Sequence, residues 1–338
     1  MNKPNNIYIG LANLGNTCFL NSCLQVLKHI DEFHTILENK IEKIKCNGLI
    51  DCVFTKEYYE LNKMMSSNVR GVISPNRFVN ILQLIAKDKN ELDFTEWNQN
   101  DISDILFFMM TCFHKSICRK TNFKINGKIE NTMDNLAKQC YTVLQDFYSE
   151  EYSEILELFY GIQYTTISSI DGSRQYSIKP EIYMTVDLPI VKNKTIYECL
   201  EEYMKNEELK DENAWFNEKT GKKEDITKSI RFWSFPNILI FILKRYTQTG
   251  SRKLAHKIDF PFHLDLSKYV MGYKKRYIYD LYGICNHGGD VSGGHYTAYV
   301  KNANGNWYHF NDTHVRKVLE NELVTNNAYC FFYKKRED

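Results

Sequence analysis

What this 338-residue chain lacks narrows its class first. It has no charge excess: 43 Lys plus Arg stand against 42 Asp plus Glu. There is thus no basic stripe to draw a nucleic acid and no polybasic tether for a membrane surface. It has no long apolar run either. The longest, residues 105–110 and 238–243, fall far short of the roughly 20 residues a membrane helix needs. The opening MNKPNNIYIG holds no apolar signal core. No Pro- or Gly-rich linker and no internal repeat divides the chain, which reads as one domain spanning 1–338. Its 10 cysteines are irregularly scattered and none forms a C-x-x-C pair. That argues against a secreted disulfide scaffold and against a zinc knuckle. A reducing compartment, cytoplasm or nucleus, is expected.

What is present is an abundance of aromatics, 23 Tyr and 20 Phe, which excludes disorder. The first half reads as helical. Leu20, Leu24, Leu27 and Ile30 recur at helical spacing. Ser74 is expected to cap a helix that begins with Pro75. Residues 100–117 predict another helix with Asp in its first turn. A further helix-rich stretch ends at Gly161. The second half is expected to be strands rich in aromatic and β-branched residues. The charged stretch 195–228 between them reads as a helix plus a solvated connection. Helices first and strands later give an α+β class.

The stretch GLANLGNTCFLNSC, residues 10–23, raises the first chemical question. It places Cys18 where a polar, Gly-containing loop becomes a helix. In a first helical turn, unpaired N–H groups and the positive end of the dipole favour a thiolate. The same groups, with an Asn side chain, can donate to an oxyanion; Asn13 and Asn16 are the candidates. Gly15 is expected to supply a positive φ. The other cysteines read as small buried fillers.

A nucleophilic Cys needs a base. Four glycines between His287 and His295 predict a flexible loop, after which His295 opens a strand and NANGN turns it back. If Lys301 faces Trp307, His295 and Asn311 share a face. If Ala303 faces Asn306, Asp312 shares that face instead. Diagonal neighbours lie about 7–8 Å apart, within reach of an imidazole and an amide or carboxylate. Register decides which of Asn311 and Asp312 orients the ring.

These segments resemble the cysteine and histidine boxes of the ubiquitin-specific protease family, papain-like deubiquitinating cysteine peptidases. GLANLGNTCFLNSCLQVL resembles the first and GGHYTAYVKNANGNWYHFNDTHV the second. NQNDISDILFFMMTCFH, FPNILIFILKRY, KIDFPFHLDLSKY and NAYCFFYKK follow in family order. The resemblance implies an α+β papain-like fold with a helical thumb (about 7–155), fingers (156–230) and an antiparallel palm sheet (231–336). It implies Cys18 as nucleophile, His295 as base and Asn311 as third triad member. Asn13 would serve the oxyanion, with Asp312 assisting. It further implies ubiquitin and ubiquitinated proteins as partners, no cofactor, and a monomer. The Leu-Arg-Gly-Gly tail of ubiquitin would meet Asp101, Asp104, Tyr246, His287, Gly293, Gly294 and Tyr296. Residues 287–294 would form a blocking loop. Asp101 and Asp104, one helical turn apart, suit a basic peptide independently of the resemblance. Acid-capping of the helix is the plainer reading of the same pair. Many members bind zinc at the fingertips through two C-x-x-C pairs. The matching positions, near 170–173 and 215–218, hold no Cys, so no metal is expected. The alternatives are a catalytically silent ubiquitin-binding module and a protease for another ubiquitin-like modifier.

Overall fold

The computed structural model describes residues 8–42, 44, 50–67, 71–96, 98–190, 194–247, 250, 252–290 and 293–337. Its first half is helical. A short strand β1 (Gly10–Leu11) leads into α1 (Cys18–Leu27), α2 (Asp31–Ile41) and α3 (Ile50–Met65). Strand β2 (Val72–Ile73) pairs with β1 in parallel, and α4 (Asn76–Asp88), α5 (Ile102–Ile117), α6 (Thr132–Glu150) and α7 (Glu154–Phe159) follow. Ser74 is not the cap of α4. Pro75 takes that position, one residue later, because Pro lacks the N–H that a first helical turn leaves unpaired anyway. The stretch running to Gly161 breaks into α6 and α7. Ser153 is extended between them and fully buried, and its hydroxyl lies 2.8 Å from Nδ1 of His114.

The chain then alternates between two sheets. Strands β3 (Gly161–Ser169) and β4 (Gln175–Tyr183) form a hairpin of the small sheet, whereas β5 (Thr185–Pro189) enters the large one. After β6 (Lys194–Thr195) and α8 (Ile196–Tyr203) come β7 (Glu207–Leu209), β8 (Trp215–Asn217), β9 (Lys222–Glu224) and β10 (Ile226–Ser234). The solvated connection expected across this charged segment is therefore strand and hairpin. Its side chains gave no alternation to read, because these short strands lie at an edge or pair only with each other, as β8 does with β9. Tyr176 on β4 packs its ring against Trp215, with centroids 5.7 Å apart, where the fingertip positions fall.

The remaining strands are β11 (Ile238–Lys244), the short β12 (Ile258–Asp259) paired to β6, β13 (His263–Asp265), β14 (Ile278–Gly289), β15 (Gly294–Lys301), β16 (Trp307–Asn311), β17 (His314–Val318) and β18 (Ala328–Lys335). The large sheet has the order β17-β16-β15-β14-β18-β11-β5 with β13 beside β14. It is not purely antiparallel as expected, since β5 runs parallel to β11. A parallel pair needs a long crossover, and α8 with the small-sheet strands supplies it. The interval 156–230 thus contributes to both sheets.

Helix α1 is buried along all ten residues, wedged between the other helices and the large sheet. Its close seat is set by Gly283 on β14, where a Cβ would sit 2.7 Å from Cγ1 of Val26. The packing of α1 on β14 and β15 brings residue 18 to the sheet strand that carries residue 295.

Candidate active site

The loop before α1 is held by two side chains, Asn13 and Thr17. Asn13 Oδ1 accepts from the backbone N–H of Gly15 and of Thr17, both at 3.1 Å. Thr17 Oγ1 accepts from Leu14 N–H at 2.9 Å. Gly15 and Asn16 take φ of +95° and +50°, the left-handed region that Gly and Asn tolerate best. This turn delivers Cys18 as the first residue of α1, 4% exposed.

The thiol does not follow the simple expectation of a thiolate. Burial, the strongest influence, pushes the Cys18 thiol up. The N–H of Tyr296 acts against this, the Asp312 carboxylate adds to it, and the first-turn N–H groups of Phe19 and Cys18 oppose it more weakly. The helix terminus is thus present but outweighed by desolvation. The packing of α1 on β15 brings the start of the helix to the strand that carries His295.

The β15–β16 hairpin resolves the open register. Lys301 faces Trp307 and Ala298 faces Phe310, which puts His295 and Asn311 on one face. Accordingly His295 Nε2 lies 2.7 Å from Asn311 Oδ1. A carboxamide oxygen only accepts, so Nε2 carries the proton and Nδ1 is the basic nitrogen. Asp312 lies farther from the ring, its Oδ2 3.9 Å from Nε2. Its φ is +48°, and its side chain turns back to the helix. Oδ1 accepts from Asn21 Nδ2 at 2.8 Å and Oδ2 from Asn13 Nδ2 at 3.0 Å. Its backbone oxygen accepts from Leu11 N–H at 2.9 Å. Asp312 therefore ties the Cys18 loop, α1 and the His295 hairpin to one another. Gly10 permits the approach, since a Cβ there would lie 2.5 Å from Thr313 O.

The expected tail residues gather at the entry of α5. Asp101 caps that helix: Oδ1 accepts from Ser103 N–H at 2.8 Å, and Oδ2 accepts from Tyr329 Oη at 2.7 Å and Tyr296 Oη at 3.4 Å. Asp104, in the first turn, is exposed. Burial, then Asp101, pushes its carboxyl up, with Asp93 and Asp187 adding to it. The rings of Tyr246 and Tyr296 each pack at a tilt against His287, with His287 and Tyr296 centroids 4.5 Å apart and Tyr246 and His287 centroids 6.2 Å apart.

His287 is not in a loop. It lies on β14, 5% exposed, and burial lowers its pKa to about 4, with Lys253 the next contributor. Tyr246 Oη and Lys253 Nζ both lie 2.9 Å from its Nδ1. Lys253 Nζ also donates to the carbonyls of His287 at 2.6 Å and Gly289 at 3.2 Å. The expected loop over 287–294 is thus strand at 287–289 and at Gly294. Cross-strand pairing of Gly288 with His295 and Gly289 with Gly294 imposes this. Residues 291 and 292 of that loop lie outside the described residues. Gly294 has no room for a side chain, because a Cβ would lie 2.1 Å from His287 Nε2. Its N–H donates to Gln99 Oε1 at 3.0 Å, across from the α5 side, and Gly293 lies next to the same amide.

The sequence alone did not single out Asn21, Gln99, Lys253, Tyr329 or Asp187. Asn21 had a signal, a polar residue one turn from Cys18 inside an apolar helix; the others had none. Among the described residues, no group of three or more His, Cys, Asp or Glu is arranged to hold a metal ion.

Comparison with known proteins follows the same line. The family described as ubiquitin carboxyl-terminal hydrolase matches residues 9–333. The Drosophila melanogaster ubiquitin carboxyl-terminal hydrolase Usp2 is 29% identical over 335 residues, covering 96% of this chain and 34% of that protein. The human ubiquitin carboxyl-terminal hydrolase 2 is 29% identical over 340 residues, covering 96% and 54%. The chain thus spans about a third to a half of these two relatives. Among solved structures, the Ubp8/Sgf11/Sus1/Sgf73 SAGA DUB module bound to monoubiquitin matches with a TM-score of 0.73 at 25% identity. That match covers 98% of this chain and 70% of the other. A yeast SAGA DUB module with an altered Sgf73 matches with a TM-score of 0.72 at 27% identity, covering 100% and 70%.

Proposed function

The chain belongs to the ubiquitin carboxyl-terminal hydrolase family, and on that premise we propose that it is a deubiquitinase. It hydrolyses the isopeptide or peptide bond after the terminal glycine of ubiquitin. The observation that carries this reading is the 2.7 Å bond between His295 and Asn311, which leaves Nδ1 basic on β15, the strand against which the helix of Cys18 packs.

In the reaction, His295 Nδ1 takes the Cys18 proton as the sulfur attacks the glycine carbonyl carbon. Asn311 accepts from Nε2–H and holds the ring through both protonation states. The carbonyl oxygen becomes an oxyanion, met by the Cys18 backbone N–H and the Asn13 amide. Asn13 Nδ2 bonds Asp312 in the resting arrangement, so this role requires the amide to share or exchange that partner when the tail enters. Collapse of the intermediate breaks the C–N bond, and His295 gives its proton to the departing amine. Water then attacks the thioester, with His295 again taking the proton, and Cys18 is released as the thiol. The raised thiol makes the free enzyme a weak nucleophile until the tail arrives.

Asp101 and Asp104 receive the basic tail, and Tyr246, Tyr296, His287, Gly293 and Gly294 line its path. Ubiquitinated proteins are the partners, the enzyme acts as a monomer, and its setting is cytoplasmic or nuclear. The test is turnover of ubiquitin carrying a C-terminal fluorogenic group. Wild type should release it and Cys18→Ala should not, while still binding ubiquitin. Binding without turnover in the wild type would instead identify a silent module. Turnover only of another modifier would keep the chemistry and change the substrate.

A further inference from the structure

A groove runs between α6 and the extended segment that precedes it. That segment is tied down at its ends. The backbones of Arg119 and Tyr152 exchange hydrogen bonds, Gln145 Nε2 donates to Phe123 O at 2.8 Å, and Asp134 Oδ2 accepts from Glu130 N–H at 3.0 Å. Between these ties, residues 124–129 form no helix or strand, and none of their backbone N–H or C=O groups finds a hydrogen-bond partner among the described residues. The groove they leave against α6 has a volume of about 530 Å³, within the roughly 300–1,000 Å³ common for binding sites. Ile125, Ala137 and Tyr141 line it, with Ile129 and Tyr273, both more than half exposed, at its rim. Both tyrosine rings are fixed edge-on against Trp233, with centroids 5.9 and 5.6 Å away. The charged side chains of the lining are Lys128, Lys138 and Asp134. Asp134 is already engaged: Tyr273 Oη and Glu130 N–H donate to it and hold its carboxyl below the usual range. Lys128 and Lys138 are exposed and have no ion-pair partner among the described residues.

Each feature of the groove asks for a different part of one ligand. Unpaired backbone donors and acceptors suit an extended chain laid beside them. The isoleucines and tyrosines take apolar side chains from it. The two uncommitted ammonium groups select carboxylates. A nucleic acid would satisfy the lysines and leave the isoleucines and the backbone unmet. We infer that this groove docks an extended segment of a partner protein, one that carries acidic residues around an apolar anchor. The lining shares no residue with the Cys18–His295 site, so the inference goes beyond the catalytic reading and does not depend on it. It gives the domain a second surface that holds a partner while the active site turns over.

The test is selection of a random displayed-peptide library on the purified protein, followed by anisotropy titration of the enriched peptides. Enriched sequences should place Asp or Glu around an aromatic or aliphatic residue. Their affinity should fall about tenfold or more when Lys128→Glu and Lys138→Glu are combined. It should fall with added salt as well, and in Ile129→Ser. Amide hydrogen exchange at residues 124–129 should slow when a selected peptide binds. All three substitutions are at exposed positions, so the variants should fold, and their turnover of fluorogenic ubiquitin should match that of wild type. No enrichment, enrichment without an acidic bias, or undiminished affinity in the variants would overturn the inference. Unchanged exchange at residues 124–129 would overturn it too. An oligonucleotide whose binding, rather than a peptide's, is lost in the lysine variant would assign the groove to nucleic acid. Self-association by light scattering that the same variant abolishes would assign it to a second copy of this chain. Either result would overturn the inference.

Discussion

The residue that binds the two halves of the site together is Asp312, and replacing it gives a quantitative prediction. Its carboxylate accepts from Asn13 at 3.0 Å and Asn21 at 2.8 Å, and its side chain is only 13% exposed. Asn21 keeps a second acceptor, Ala12 O at 3.2 Å, so its loss is partial. Two charge-assisted bonds, one partly compensated, contribute roughly 2 kcal/mol. The φ of +48° adds roughly 1 kcal/mol against Ala, which lacks the local bonding that lets Asp or Asn rest there. Asp312→Ala should therefore cost about 3 kcal/mol, Asp312→Gly about 2, and Asp312→Asn about 1, since Asn tolerates the φ and keeps one acceptor. Urea denaturation at pH 7 reads these as midpoint shifts at constant slope. Turnover should fall in the same order, on the order of 100-fold for Ala, because the Cys18 loop and the His295 hairpin lose their tie. Equal costs for Ala and Asn would refute both the charge argument and the φ argument. A cost under about 0.5 kcal/mol for Ala would refute the account of Asp312 altogether.

Two further predictions concern the thiol and the hairpin. Because burial raises the Cys18 thiol, its alkylation by iodoacetamide in the free enzyme should be slow at pH 7. The rate should keep climbing past about pH 8.5, the ordinary thiol value; a plateau already reached near pH 6 would show an ion-paired thiolate instead. Gly294→Ala should disrupt the hairpin and lower turnover at least tenfold, with a stability loss of about 1–3 kcal/mol. Its Cβ would meet both His287 Nε2 and Gly288 O, at 2.1 and 2.4 Å. Wild-type melting and turnover in this variant would mean the strands can part without cost.

Much of the candidate site's geometry was legible because its residues sit on elements with strong local signals. A turn-forming loop running into an apolar helix located Cys18. The NANGN turn fixed a hairpin and narrowed the partner of His295 to Asn311 or Asp312, but only the observed pairing of Lys301 with Trp307 chose between them. Residues 207–224 were not legible, since short charged strands with edge or mutual pairing carry no period-2 apolar pattern. The four glycines after residue 287 read as a flexible loop. In the fold, Gly288 and Gly289 are strand residues, and Gly289 is required by its φ of +99° and by close packing, since a Cβ there would lie 2.5 Å from Gly293 O. Asp101 shows the limit in another way: spacing identified the acid, but not that its own helix and two tyrosines already engage it. Nor could Lys253 be found, because its partners are backbone carbonyls more than thirty residues away.

The central claim is that Cys18, activated by His295, attacks the C-terminal carbonyl of ubiquitin. The most direct measurement is reaction of the protein with ubiquitin bearing a C-terminal thiol-reactive warhead, beside equivalent probes built on other modifiers, with mass spectrometry locating the adduct. The account predicts a ubiquitin adduct on Cys18 that is lost in His295→Ala. An adduct on another cysteine, or an undiminished adduct in His295→Ala, would contradict it.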